Sequence, residues 1–147
     1  LCAEYNAGLI LMHMKGSPDS MQKLPRYKDV VKEVFLYLKK ATSLALEAGV
    51  KPDNIIVDPG IGFGKNLAHN ISLIKNLKTF RKLGFPILVG LSRKSFLGMV
   101  TGLDVNERLI PSIVANSIGI INGADMIRVH DIKESSLSAK VIDAIMK

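Results

Sequence analysis

The sequence predicts an α/β fold with a parallel sheet or barrel. Four short apolar runs, near residues 9–12, 54–57, 86–91 and 124–129, read as strands buried on both faces. Each run ends in a polar or glycine-rich loop, and each loop leads into a stretch with helical apolar spacing. The resulting order, strand then helix four times over, is the rhythm of βαβ units. The 147 residues fit one domain with enough apolar content for a core, and no linker or internal repeat beyond this rhythm divides them.

Taken in order, residues 1–7 read as the tail of a helix stopped by Gly8. Leu9 to Met12 is the first strand, and Gly16 and Pro18 open a polar loop through Pro25. A long amphipathic helix is expected over 26–48, marked by Val30, Val34, Leu38, Leu44 and Ala48 and ended by Gly49. The run Asn54-Ile55-Ile56-Val57 is the second strand, and a helix with apolar residues at 71, 74, 77 and 80 runs on to Leu83, stopping at Gly84. Pro86 starts the third strand, where a missing donor is tolerated. Residues 96–100 form a short helix, and a longer one spans 106–122, with Pro111 either kinking it or marking its first turn. Residues 124–130 make the fourth strand, and 132–146 a last helix with Leu137, Val141, Ile142 and Ile145 on one side.

The most informative stretch is Asp58-Pro59-Gly60-Ile61-Gly62-Phe63-Gly64-Lys65-Asn66. It sets a carboxylate at the C-terminal end of a buried strand, where α/β enzymes place their chemistry and where an unpaired charge is costly. A turn-capping Asp58 with glycines that merely close the loop is the plainer reading. The loop is not a Walker A, because Pro59 stands where a glycine belongs and Asn66 replaces Ser/Thr. Nor is it G-x-G-x-x-G, since Lys65 occupies the third glycine position. Ser92-Arg93-Lys94-Ser95, at a strand-to-helix junction, offers two cations and two hydroxyls to an anion. Arg128 and His130, two apart on a strand, share a face; a fork-shaped phosphate grip and a structural pairing with Asp131 or Glu134 are both open.

Composition narrows the classes. No apolar run approaches the roughly 20 residues of a membrane span. The start Leu1-Cys2-Ala3-Glu4 lacks the pattern of a signal peptide. One cysteine excludes an internal disulfide framework and suits the cytoplasm. Cys2, His13, His69 and His130 lack zinc-ligand spacing. The net charge of +7 is spread along helices with few aromatics between, which reads as solvated faces rather than a nucleic-acid surface.

Four motifs in sequence, Leu11-Met12-His13-Met14-Lys15-Gly16, the Asp58 to Asn66 loop, Val89-Gly90-Leu91-Ser92-Arg93-Lys94-Ser95 and Ile127-Arg128-Val129-His130-Asp131, resemble the dihydropteroate synthases of the pterin-binding family. The resemblance covers essentially the whole chain, as residues 1–147 of one domain, and maps to strands five to eight of a parallel (β/α)8 TIM barrel. It implies a transferase of folate synthesis. Such an enzyme joins p-aminobenzoate to 6-hydroxymethyl-7,8-dihydropterin diphosphate with Mg2+ assisting, releases pyrophosphate, and has a p-aminobenzoate site at which sulfonamides compete. By position, Met12, Asp58, Gly90 and Lys94 would form the pterin slot, and Phe63 and Ser92 would seat p-aminobenzoate. Arg128 and His130 would hold the diphosphate, with Lys94 alongside them in the chemistry. No metal ligand is expected in this chain; the family places one in its N-terminal half. The resemblance therefore implies a half-barrel, inactive alone, that needs the N-terminal half and forms a homodimer when complete. Two other readings share the scaffold. One is the methyltetrahydrofolate-binding domain of a corrinoid-dependent methyltransferase, which has no diphosphate for Arg128 and His130 to hold. The other is a non-catalytic half-barrel assembly module, which would not require polar groups at every strand end.

Overall fold

A computed structural model describes residues 1–16 and 25–146. Most of the polar loop expected before Pro25 lies outside the described residues. The elements are β1 (Leu9–Met12), α1 (Val30–Glu47), β2 (Ile55–Asp58), α2 (Leu67–Lys75), β3 (Leu88–Val89), α3 (Ser95–Thr101), α4 (Leu109–Ile121), β4 (Met126–Ile127) and α5 (Ile132–Met146). Short 3-10 turns at Pro52–Asn54, Leu77–Leu83 and Val105–Glu107 join them.

The strand neighbours are parallel and follow chain order. β1 pairs with β2 from Leu9↔Ile55 to Met12↔Asp58, and β3 with β4 through Leu88↔Met126 and Val89↔Ile127. A bridge, Val57↔Ile87, with the Val57 amide donating to the Pro86 carbonyl at 2.9 Å, joins the two pairs. Strand order without reversal describes an arc of a barrel, since a doubly wound sheet reverses direction at its switch point.

The two faces of the arc differ. Val57, Ile87, Val89 and Ile127 point to the helices and join Val34, Leu38, Leu73, Leu77 and Phe80 in the core. Ile10, Met12, Ile56, Asp58, Leu88, Gly90, Met126 and Arg128 alternate with them and share the opposite, concave face. Ile10 and Met126, on the two outer strands of that face, are 47% and 42% exposed.

Several elements depart from the sequence reading. Residues 1–7 form one turn, closed by Ala7 N–H donating to the Cys2 carbonyl; Asn6, with φ of 50°, ends it rather than Gly8. α1 starts at Val30 because the Asp29 side chain caps the Lys32 amide. Its buried stripe runs through Val30, Val34, Leu38, Thr42 and Ala45, leaving Leu44 more than half exposed. The helix expected to reach Leu83 breaks at Asn76, whose side-chain amide donates to the Ser72 carbonyl, and continues as a 3-10 turn to Gly84. Pro111 sits in the first turn of α4, where its missing N–H has no helical acceptor to lose.

Candidate active site

The loops leaving the C-terminal ends of the four strands gather on one side of the arc, and the chemistry sits there. Asp58 ends β2 and is 1% exposed. Its Oδ1 accepts from the Gly60 amide at 2.7 Å, and its Oδ2 lies 3.5 Å from an Arg128 guanidinium nitrogen. Burial pushes the Asp58 carboxyl above the usual range, while the Gly60 amide and the charges of Lys94, Arg128 and Lys65 pull the other way. The result is a buried carboxylate with three cations around it.

Lys94, on the loop after β3, crosses to the loop after β2. Its ammonium donates to the Ile61 carbonyl and lies 4.5 Å from the centre of the Phe63 ring. Burial lowers the Lys94 pKa to about 8, with Asp58 opposing the shift and Arg128 adding to it. Gly90 gives Arg128 its place: a Cβ there would stand 3.3 Å from the guanidinium. Arg128 is otherwise more than half exposed. Met12 stands opposite Asp58 in register, and the His13 amide donates to the Asp58 carbonyl at 3.0 Å.

Ser92 and His130 form a second group. The Ser92 hydroxyl accepts from the His130 amide at 3.3 Å and meets its Nδ1 at 3.0 Å, leaving Nε2 on the side away from Ser92. The structure thus brings Asp58, Gly90, Lys94, Phe63, Arg128 and Met12 around one concavity, and sets Ser92 with His130 beside it.

Arg93 does something other than offer charge to an anion. It forks onto Asp131 with contacts of 3.1 and 2.6 Å, its amide donates to Ser112 Oγ, and its carbonyl accepts from Arg108. With φ of 55° it turns the chain so that Ser92 and Lys94 leave in different directions. Asp131, open in the sequence as a partner for Arg128 or His130, is taken by Arg93.

Sequence reasoning missed Lys65. It is 3% exposed, and its ammonium reaches the carbonyls of Gly60 at 2.8 Å and Phe63 at 2.9 Å and the Nδ1 of His13 at 3.0 Å. Its place among three glycines, just after a strand-end carboxylate, was the available signal. Among the described residues no three His, Cys, Asp or Glu side chains gather as a metal set.

A model of the family described as pterin binding enzyme matches residues 1–130. The chain belongs to this pterin-binding family. Among curated relatives, the dihydropteroate synthase of Escherichia coli (strain K12) is 41% identical over 144 residues, 98% of this chain and 51% of that protein. The crystal structure of Yersinia pestis dihydropteroate synthase with a sulfonamide drug complex superposes with a TM-score of 0.95 at 35% identity, over 98% of this chain and 53% of that one. The Thermus thermophilus dihydropteroate synthase in complex with 6HMPPP gives 0.94 at 36% identity, over 99% and 58%. The chain spans about half the length of the curated relatives it matches. The fold of the pterin-binding family is a TIM barrel, and this chain carries four consecutive βα units of it.

Proposed function

We propose that this chain provides the half of a dihydropteroate synthase that grips the pterin and its leaving diphosphate. The observation that carries this reading is Asp58, buried at a strand end with Lys94 and Arg128 turned toward it. In the reaction, the amine of p-aminobenzoate forms a C–N bond to the exocyclic methylene of 6-hydroxymethyl-7,8-dihydropterin diphosphate. The C–O bond to pyrophosphate breaks, and the amine loses a proton. Asp58 accepts from the amino-pyrimidine edge of the pterin, and Lys94 donates to its ring, so that the methylene faces the amine. Met12 and Gly90 line the slot. Phe63 packs by the p-aminobenzoate ring, and the Ser92 backbone seats its carboxylate. Arg128 and His130 Nε2 meet the charge that grows on the departing diphosphate. Mg2+ belongs to the proposal as the companion of that diphosphate. Among the described residues no three His, Cys, Asp or Glu side chains gather to hold it, so its ligand would come from the second half, where it would offset the charge of the diphosphate.

The reading places the enzyme in the cytoplasm, working on small molecules. No helix among the described residues is long and apolar enough to cross a membrane. Completion of the barrel by a second half is supported by the bare inner residues Ile10 and Met126. A homodimer is supported by a second apolar surface, where Ile110, Val114 and Ile118 of α4 are 74%, 53% and 44% exposed and border a cavity of about 490 Å³ with Val100 and Ile71. Sedimentation of the completed barrel checks the dimer.

The decisive assay pairs residues 1–147 with the N-terminal half of the Escherichia coli synthase and follows pyrophosphate release. Turnover with dihydropterin diphosphate and p-aminobenzoate is expected. A parallel assay follows methyl transfer from methyltetrahydrofolate to a cob(I)alamin acceptor; activity only there would move the chain to the methyltransferases, and assembly without either activity would leave a scaffold.

A further inference from the structure

Resting on that reading, we infer that Lys65 is a positioning residue for pterin recognition: its enclosed ammonium holds the loop after β2 in the shape that aims Asp58 and anchors Lys94.

A lysine ammonium has three N–H donors. In Lys65 they meet the Gly60 carbonyl, the Phe63 carbonyl and the imidazole Nδ1 of His13, with the His13 carbonyl a fourth, longer neighbour at 3.4 Å. At 3% exposure, no donor remains for a ligand. The loop is folded around the ammonium as it would be around a bound cation.

What the loop presents follows from that enclosure. The Gly60 amide, in the residue whose carbonyl Lys65 holds, donates to Asp58 Oδ1. The Ile61 carbonyl accepts from Lys94, and the Phe63 ring lies against the same ammonium. The loop is pinned at its far side by Asn70 Oδ1, which accepts from Gly62, and by the Tyr27 hydroxyl, which donates to Gly64. None of these outer contacts touches Gly60 or Phe63. The turn closes on the Phe63 amide, which donates to the Gly60 carbonyl at 3.1 Å, and Lys65 adds a second tie by binding the carbonyls of both residues; the turn is what Lys94 rests on.

A neutral side chain can satisfy carbonyls at far lower desolvation cost than an ammonium. The charge adds a second effect, because it favours the ionised form of Asp58 against burial. The groups facing Lys65 are Asp58 on β2, Lys94 on the loop after β3, and His13 after β1; Tyr27, Lys15 and His69 lie further out. Burial, with Lys94 adding and Asp58 opposing, lowers the Lys65 pKa to about 7.

The test measures binding of 6-hydroxymethyl-7,8-dihydropterin, without diphosphate, by calorimetry on the full chain paired with the Escherichia coli N-terminal half. Lys65→Met fills the space and cannot donate. It should weaken pterin binding about tenfold or more, the scale of a lost charge-assisted hydrogen bond network at the ring. Lys65→Met combined with Lys94→Ala should lose little beyond the larger single loss, because Lys65 acts through the anchorage of Lys94 and Asp58. Unchanged affinity in Lys65→Met, or losses that simply add, would overturn the inference while leaving the function standing. Should Lys65→Met not fold, Lys65→Gln, which is neutral but keeps two N–H donors for the loop carbonyls, serves instead: its loss of pterin affinity should shrink in the Lys94→Ala background, and an unchanged affinity or an equal loss in both backgrounds would overturn the inference. No pterin binding by the unsubstituted pair would overturn the functional reading and this inference with it.

Discussion

Burial opposes the charge of Asp58, so on the proposed function that charge would serve the pterin at the expense of the fold. Its folded pKa is raised; above that pKa the ionised form subtracts stability relative to an unfolded carboxylate. Asp58→Asn keeps the acceptor for the Gly60 amide and removes the buried charge. It should leave urea stability at pH 7 equal or higher while weakening pterin binding by about 1.5–3 kcal/mol, because an amide donor then faces the N–H groups of the ring. A matching loss of stability and binding would assign Asp58 to structure. His13 works in the opposite sense. Burial and the neighbouring Lys65 lower its pKa to about 4, so the folded chain holds it neutral where an unfolded one is protonated. The contribution is whole above pH 6.5 and is lost as pH falls from 6.5 to 4, by about 3 kcal/mol at most. Urea titrations of the paired halves across that window should slope, and His13→Gln should flatten the slope.

The loop after β2 is the element on which the site depends, and its glycines are not equivalent to those elsewhere. Gly60 has φ of 67°, and a Cβ there would run into the His13 carbonyl oxygen. Gly84 has φ of 81° with open space around it. Gly84→Ala should cost about 1 kcal/mol, the left-handed penalty alone, and Gly60→Ala about 3 kcal/mol or more, because backbone must move as well. Equal costs by denaturant titration would show that the loop yields easily. Asp58 was legible because a carboxylate closing an apolar run has few reasons to be there, and the four strands because buried parallel strands read as unbroken apolar runs. Other features depended on partners distant in sequence. A lysine in a glycine loop reads as solvated until folding brings in His13, 52 residues away. Arg93 reads as a free cation until Asp131, 38 residues on, takes its fork. Helical spacing alone starts α1 too early; the start is set by Asp29, whose side chain caps the Lys32 amide, while Tyr27 before it is drawn away to Gly64.

At the scale of the whole molecule, the helix-facing side of the arc has a packed core and the concave side does not. Residues on the outer strands of that side, Ile10 and Met126, remain open, and among the described residues β1 and β4 each present an unpaired edge. Residues 1–147 alone are therefore expected to self-associate or to melt without a sharp monomeric transition, and to gain cooperativity when paired with an N-terminal half. A cooperative, monomeric thermal transition of the chain by itself at low concentration would contradict this. The division of labour on the concave face is the central claim, and Arg128 tests it most directly. Its guanidinium is more than half exposed, and its ion pair with Asp58 is long, at 3.5 Å. Calorimetric titration of the Arg128→Ala pair with 6-hydroxymethyl-7,8-dihydropterin and with its diphosphate should show the diphosphate weakened by about 1.5–3 kcal/mol and the free pterin nearly unchanged. Equal losses for the two ligands would contradict the account and make Arg128 a structural partner of Asp58.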